Sequence, residues 1–216
     1  MNIALLNAAF AGACLMVTML TVVSLRLRTM VRYFALSSLF LSALIAGIGF
    51  AQESEHLYSI AAANFLFKTL IIPWLIVMAA RRSGASGRLR AYLRPASTLF
   101  ILLVVFAFVF AGVQRSPFFT TTDPSYLLHL AVSLVLIGFF MMIIRRDILS
   151  QIVGFLVMEN GIAMFSYATV NSLPVLIELG IFATVTIGVL LMSILSHHVR
   201  LLYGTEDTDM LRELVD

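Results

Sequence analysis

The sequence predicts an all-α membrane protein, a polytopic helix bundle with about seven transmembrane helices. Of its 216 residues, 61% are hydrophobic and only 12% are charged, whereas a soluble domain has about 25% charged residues. The apolar residues form continuous runs close to the ~20 residues that a helix needs to cross a bilayer. These runs lack the alternation of barrel strands. Since backbone groups in lipid must pair within the protein, the runs are expected to be helices.

The predicted spans follow one another through short connections. They cover residues 3–25, 33–51, 58–80, 97–114, 125–144, 150–169 and 175–197. The first is not expected to be a cleaved signal peptide, because it has no basic n-region and its apolar run is too long. We divide the chain into N-terminal membrane helices (1–114, the first four spans), a three-helix unit (115–200) and a cytoplasmic tail (201–216).

The basic residues predict the orientation. Arg115 falls in an even-numbered loop and Lys68 inside a span, whereas the other twelve lie in odd-numbered loops or the tail: Arg26, Arg28, Arg32, Arg81, Arg82, Arg88, Arg90, Arg94, Arg145, Arg146, Arg200 and Arg212. Cytoplasmic loops carry the excess of Lys and Arg. We therefore expect the N-terminus outside and the C-terminus in the cytoplasm.

Several classes of chemistry have no signal in this chain. The only cysteine, Cys14, cannot form an internal disulfide or hold a metal cluster alone, and is expected to be a small core or lipid-facing residue. No Gly-rich phosphate loop, HExxH, CxxC or nucleophile elbow occurs. We expect no catalytic residue, metal, cofactor or nucleic-acid partner. The short loops favour an accessory subunit over an enzyme in its own right.

Two ionisable residues, Lys68 and Glu159, lie inside apolar runs. A charge at the bilayer centre costs ~3 kcal/mol on insertion scales, so such residues usually serve an ion pathway, a proton relay or a buried pair. Each lies about ten residues from an end of its span, which gives both a similar depth. They can pair directly or through a partner subunit. For each, a fixed structural contact is the alternative to a role in proton transfer.

The neighbours of the two residues add detail. Asn64 lies one turn before Lys68 on the same face and is a further candidate for the ion pathway. Pro73 follows five residues after Lys68, removes a backbone donor and predicts a kink there. In the Glu159 span, Gly154, Met158 and Gly161 share a face that favours close packing of another helix.

Three further residues are weaker candidates for an ion pathway. Glu178 lies near the outer end of span 7, where it is either an exit group or an interfacial carboxylate without a role. His129, near the outer end of span 5, can titrate near neutrality, but a solvated interfacial histidine is the favoured interpretation. Thr184 lies in span 7, and its hydroxyl can bond back to its own helix.

The segment RRDILSQIVGFLVMENGIAMFSY resembles the turn and second helix of the K subunit of respiratory complex I, and residues 125–200 would cover that subunit. Nearly the whole chain is similar to component E of hydrogenase-4, a membrane subunit of formate-hydrogenlyase-type complexes. The N-terminal segment NFLFKTLIIPWLIVMAAR, the MENG helix, the IELGI helix and the Gly-Thr-acidic tail carry this second resemblance.

The resemblance implies a place in an energy-converting membrane arm, in a bacterial or archaeal cytoplasmic (inner) membrane. Its partners would be antiporter-like membrane subunits, a hydrogenase-anchoring membrane subunit and soluble iron–sulfur or hydrogenase-like subunits. Such subunits contribute glutamates to a central hydrophilic axis. The second-helix glutamate of complex I aligns with Leu156, one turn before Glu159, and the third-helix acid aligns with Thr184. Lys68 is therefore the candidate for a second ionisable site.

We expect a non-catalytic subunit that helps couple redox chemistry to proton or sodium translocation. Three alternatives stay open. The chain can be a structural spacer in which Lys68 and Glu159 only fix packing. It can be a K- or C-type subunit of a multisubunit cation/proton antiporter. It can also be an independent carrier or channel.

Overall fold

A computed structural model describes residues 3–82, 89, 91–115, 125–169 and 188. Within these ranges the protein is all-helical, with six stretches long and apolar enough to cross a membrane, which confirms the predicted multi-pass helical class. The elements are α1 (Ile3–Val23), α2 (Leu27–Ala51), α3 (Glu55–Asn64), a π-helical segment (Phe65–Ile71), α4 (Ile72–Arg82), α5 (Pro95–Arg115), α6 (Ser125–Ile144) and α7 (Ile148–Thr169).

The helix bounds agree with the predicted spans to within a few residues, except at the start of α2. Helix α6 covers the fifth predicted span, residues 125–144, whereas α2 begins at Leu27 rather than at residue 33. Arg28 and Arg32 lie exposed on the first turns of α2. Their long side chains can extend to the membrane–water interface, so the helix can begin before them. The seventh predicted span and the tail lie outside the described residues. The orientation and the division into three parts stay predictions.

The third predicted span is continuous but not uniformly α-helical. Its middle is the π-helical segment, which contains Lys68 and is closed by a hydrogen bond from the Ile72 N–H to the Phe67 carbonyl. Pro73 follows directly and has no N–H to donate. The sequence predicts a disturbance near Lys68 from this proline, and the disturbance takes the form of a wider turn. Such turns are rare in helices and frequent at functional sites.

Helices α6 and α7 pack through glycines. A Cβ added at Gly138 would lie 2.3 Å from the Met158 nitrogen, and one added at Gly161 would lie 2.6 Å from the Val135 nitrogen. Only residues without a side chain permit such an approach of two backbones. The close packing predicted for the Gly154–Met158–Gly161 face is thus present. It fixes α7, which carries Glu159, against α6.

Helix α2 is central, because it contacts α1, α3, the π-helical segment, α4 and α7. It therefore lies against both helices that carry the intramembrane charges. Its serines, such as Ser38 and Ser42, are buried together with apolar residues such as Leu41 and Ile45. Helix α2 can therefore offer polar groups inside the bundle without exposing them.

The loops at one end of the bundle contact one another. The Leu89 N–H donates to the Leu25 carbonyl over 2.8 Å, and the Tyr92 N–H donates to the Ile144 carbonyl over 3.0 Å. The Arg146 guanidinium lies over the Tyr92 ring, 4.1 Å from its centroid. These contacts connect the α1–α2, α4–α5 and α6–α7 loops, and we call this region the loop junction.

Arg145 lies at the centre of the loop junction and is only 1% exposed. Its Nη2 donates to the carbonyls of Val22 and of Ser24, the latter over 2.7 Å. Its Nε and Nη1 have no acceptor within the described ranges. Burial lowers the pKa of the guanidinium from its ordinary value, and the charge of Asp147 opposes that shift. The sequence predicts Arg145 as one more basic loop residue, and its burial is a finding of the structure.

Candidate functional site

Six buried polar residues lie together between α2, α3, the π-helical segment and α7, and we call them the polar cluster. Each is at most 6% exposed. The cluster consists of Ser38, Ser42, Asn64, Lys68, Glu159 and Asn160. Buried polar groups are expensive unless they are hydrogen-bonded. Their contacts therefore show which groups are satisfied and which can still accept a partner.

Lys68 and Glu159 form a direct ion pair. The Nζ of Lys68 lies 3.1 Å from the Oε1 of Glu159, and their side chains are 1% and 8% exposed. The question that the sequence leaves open, direct pairing or pairing through a partner subunit, is answered in favour of direct pairing. The pair has no net charge, so it is tolerated in a low-dielectric interior far better than either charge alone.

Asn160 holds the same ammonium from the next position of α7. The Nζ of Lys68 donates to the Oδ1 of Asn160 over 3.1 Å, and the Nδ2 of Asn160 donates to the Oγ of Ser38 over 3.0 Å. Successive residues of an α-helix point about 100° apart. The Lys68 ammonium therefore lies between two neighbouring side chains of α7.

Asn64 connects α3 to α2. Its Nδ2 donates to the Oγ of Ser42 over 2.7 Å and to the carbonyl of Ser38 over 3.3 Å. The Oγ of Ser42 donates to that same carbonyl over 2.9 Å. Asn64, predicted as a pathway candidate, thus belongs to the cluster, and its amide N–H groups are directed to α2.

Ser38 is the residue of α2 on which these bonds converge. Its hydroxyl accepts from Asn160, and its carbonyl accepts from Asn64 and Ser42. Sequence reasoning missed both serines, since a serine in an apolar helix usually bonds to its own backbone, as Ser37 does to Phe34. The only available signal was their number, three within six residues of one apolar run (Ser37, Ser38 and Ser42).

The carboxylate of Glu159 keeps capacity to accept. None of the described residues donates a hydrogen bond of good geometry to either of its oxygens, although Oε1 contacts the ammonium at 3.1 Å. The Thr69 hydroxyl, next to Lys68 in the chain, is likewise buried without a hydrogen-bond partner in the described part of the chain. An ionised carboxylate has about four lone-pair sites. It can therefore receive a proton, a water or a cation in addition to Lys68.

His129 differs from its prediction. It is 8% exposed, and its ring centroid lies 5.1 Å from that of Phe110. Ser133, one turn later, donates to the His129 carbonyl over 2.7 Å. The solvation expected for this histidine is therefore wrong, because Phe110 of α5 packs beside its ring. Its position near one end of the span agrees with the sequence, since it is the fifth residue of α6. Glu178 and Thr184 lie outside the described residues.

Cys14 is buried and unexposed on α1, in agreement with the core position predicted as one of its two options. Its carbonyl accepts a hydrogen bond from Thr18 over 2.8 Å.

Across the described ranges, no three histidine, cysteine, aspartate or glutamate residues are grouped so that they could hold a metal ion. In the polar cluster, the carboxylate and the ammonium are groups that can exchange a proton, and the amide and hydroxyl oxygens are groups that can contact a cation.

Comparison with known proteins finds relatives that match nearly the whole chain. The chain is 28% identical over 204 residues to hydrogenase-4 component E of Escherichia coli and of Shigella flexneri, covering 93% of each chain. It is 30% identical over 220 residues to the uncharacterized protein Rv0085 of Mycobacterium tuberculosis, covering 100% of this chain and 98% of that one. The chain is thus homologous to hydrogenase-4 component E over 93% of its length. This confirms the resemblance carried by its NFLFK and MENG segments. No family model matches the chain, and no solved structure matches it.

Proposed function

We propose that this chain is a non-catalytic membrane subunit of an energy-converting hydrogenase or complex-I-like assembly. In this proposal the Lys68–Glu159 pair helps couple redox chemistry to the translocation of protons or sodium ions. The relatives named hydrogenase-4 component E support the assembly. The observation that carries the coupling role is the 3.1 Å pair inside the bundle, whose carboxylate accepts no further hydrogen bond from the described residues.

Such a pair responds strongly to charge. Two unit charges 4 Å apart interact by about 4 kcal/mol at an effective dielectric constant of 20. A proton or cation that arrives beside Glu159 therefore changes the balance between the ion pair and its separated or neutral forms by roughly a thousandfold. Conversely, opening the pair changes the affinity of Glu159 for that cation. This reciprocity is what coupling requires.

We propose that the redox centres belong to other chains, because the loops of this chain are short. The proposed partners are antiporter-like membrane subunits, a hydrogenase-anchoring membrane subunit and soluble iron–sulfur subunits. The proposed location is the bacterial inner membrane, with the C-terminus in the cytoplasm. The clustering of twelve arginines in the odd-numbered loops and tail supports that orientation.

Affinity purification of the tagged chain from native membranes in mild detergent, followed by mass spectrometry, tests membership. Antiporter-like subunits together with iron–sulfur and hydrogenase-type subunits are the expected result. Antiporter-like subunits without redox partners would instead indicate a multisubunit cation/proton antiporter. Recovery of the folded chain alone would contradict both and favour an independent carrier.

A structural spacer is the second candidate, favoured by the bonds that join Ser38, Asn64 and Asn160 across three elements. Glu159→Gln separates it from coupling, since the spacer predicts a lower yield of assembled complex and normal ion translocation per redox turnover. Coupling predicts that ion translocation per redox turnover falls in whatever complex does assemble. The exposed Glu55 provides the matched control Glu55→Gln, which both candidates expect to behave as wild type.

A further inference from the structure

Asn160 contacts both the ammonium of Lys68 and helix α2. Its Oδ1 accepts from Lys68 over 3.1 Å, and its Nδ2 donates to Ser38 over 3.0 Å. With the amide group engaged at both ends, its orientation is fixed. Asn160 is 1% exposed, so bulk water does not compete for these contacts. The position of the ammonium relative to Glu159 is therefore set partly by α2.

The chemical type of the side chain at position 160 is informative. A carboxamide oxygen accepts a hydrogen bond from an ammonium, but it does not take the proton at any ordinary pH. A carboxylate in its place would accept the bond and compete with Glu159 for the proton. With Asn160 present, Glu159 is the acceptor in contact with Lys68 that can become protonated. The Asn160 amide thus holds the Lys68 ammonium without offering a second group that can take its proton.

We propose that Asn160 is a positioning residue that holds the Lys68 ammonium against Glu159 for proton exchange, anchored through Ser38 to α2. This inference rests on the proposed function. In the exchange an N–H bond of Lys68 breaks, its electron pair stays on Nζ, and an O–H bond forms on Oε1 of Glu159. Ammonium and carboxylate become amine and carboxylic acid, with no other reactant. A shift of α7 against α2 would change this contact and hence the exchange.

The chain offers a direct measurement, because Lys68 is its only lysine. The full chain is labelled with ζ-¹⁵N-lysine and with side-chain ¹³C in asparagine and glutamate, and placed in lipid bilayers. Solid-state NMR then gives one Nζ signal, whose dipolar contacts identify the neighbouring carbons. Wild type is expected to show contacts to an asparagine amide carbon, lost in Asn160→Leu, and to a glutamate carboxyl carbon, lost in Glu159→Gln. Absence of the asparagine contact in wild type would overturn the proposal.

Two leucine variants test positioning. In Asn160→Leu the contact between Nζ and the Glu159 carboxyl carbon is expected to weaken severalfold, because the ammonium has lost its hydrogen bond to the Asn160 amide oxygen. Asn64→Leu is the matched control, since Asn64 is an asparagine of the same 1% exposure that also bonds to Ser38 of α2. It is expected to keep the glutamate contact. A retained contact in Asn160→Leu, or an equal loss in Asn64→Leu, would overturn the proposal.

If Asn160→Leu does not fold, Asn160→Asp replaces it. The aspartate keeps the shape and the acceptor, so Nζ is expected to contact position 160 and to move away from Glu159. An unchanged glutamate contact would overturn the proposal. These measurements need neither partner subunits nor transport. Their failure is therefore distinguishable from failure of the proposed function, which the Glu159→Gln translocation experiment tests.

Discussion

Among the residues that the structure describes, two cations are fully buried, and they have different surroundings. Lys68 and Arg145 are each 1% exposed. Lys68 lies inside the bundle against a carboxylate at 3.1 Å and an amide oxygen. Arg145 lies in the loop junction, where its Nη2 donates to the carbonyls of Val22 and Ser24. Equal burial thus accompanies different partners.

The partners determine what each cation can do. A guanidinium remains protonated in proteins and only donates hydrogen bonds. Arg145 donates them to carbonyls at the C-terminal end of α1, which lack partners within their own helix and carry partial negative charge. That contact can fix the loops but cannot pass a proton on. Lys68 contacts a group that can accept a proton, so only this site is suited to exchange.

The largest expected effect comes from breaking the pair on one side. Lys68→Met leaves the Glu159 charge buried without its cation, which typically destabilises a protein by about 3–5 kcal/mol. Equilibrium unfolding of the purified chain in mixed micelles with increasing SDS measures the loss. The double variant Lys68→Met/Glu159→Met is the control and is expected to recover most of the stability, because no buried charge remains. Equal instability of single and double variants would contradict this account.

The next effect concerns the other cation. Arg145→Met removes two hydrogen bonds from a charged donor, and we expect a loss of about 1.5–3 kcal/mol in the same unfolding measurement. Ion translocation per redox turnover of the assembled complex should stay at the wild-type value. Arg145→Lys keeps a charge near the carbonyls and should lose less stability. If an assembled Arg145→Met complex no longer translocated ions, the assignment of a purely structural role to Arg145 would be contradicted.

A smaller effect tests the packing that places Glu159. Gly138→Ala puts a Cβ 2.3 Å from the Met158 nitrogen, and the required shift of α7 should lower the free energy of unfolding by about 1–3 kcal/mol. Gly12→Ala is the matched control, because nothing lies within 4 Å of a Cβ at that position. It should be neutral or stabilising by up to about 1 kcal/mol. Equal effects of the two variants would show that the α6–α7 contact does not limit stability.

The smallest expected effect lies beside Arg145. Arg146→Leu removes the cation over the Tyr92 ring, a contact at the edge of the bundle worth about 0.5–1 kcal/mol. The same unfolding series should therefore rank it below Arg145→Met. If Arg146→Leu lost more unfolding free energy than Arg145→Met, burial would not explain the different importance of these two adjacent arginines.

The sequence was sufficient for the helices that the structure describes and for the similar depth of Lys68 and Glu159, but not for the contact between them. Apolar runs define membrane spans because the bilayer requires a minimum length, and α6 matches its predicted bounds at both ends. The equal depth of Lys68 and Glu159 follows from counting residues along two helices. Their direct contact does not follow from counting, because rotation of each helix about its axis is set by packing. Glycines such as Gly138 and Gly161 set that packing for α7.

The other members of the polar cluster could not be predicted, because they are brought together by tertiary contacts that leave no periodic pattern in the sequence. Ser38 resembles any serine in an apolar helix until Asn160 and Asn64 approach it from two other helices. Arg145 resembles its partly buried neighbour Arg146 in the sequence, because a basic loop does not reveal which arginine turns inward. His129 was misjudged for a similar reason, since the cover from Phe110 comes from another helix.

The most direct test of the central claim uses the double variant Lys68→Met/Glu159→Met in the reconstituted complex. The measurement is the number of ions translocated per redox turnover, together with the yield of assembled complex. We predict normal assembly and redox turnover with translocation lost, because packing is preserved while the proton-exchanging groups are gone. Normal assembly with normal translocation would contradict the account and leave the pair a packing contact.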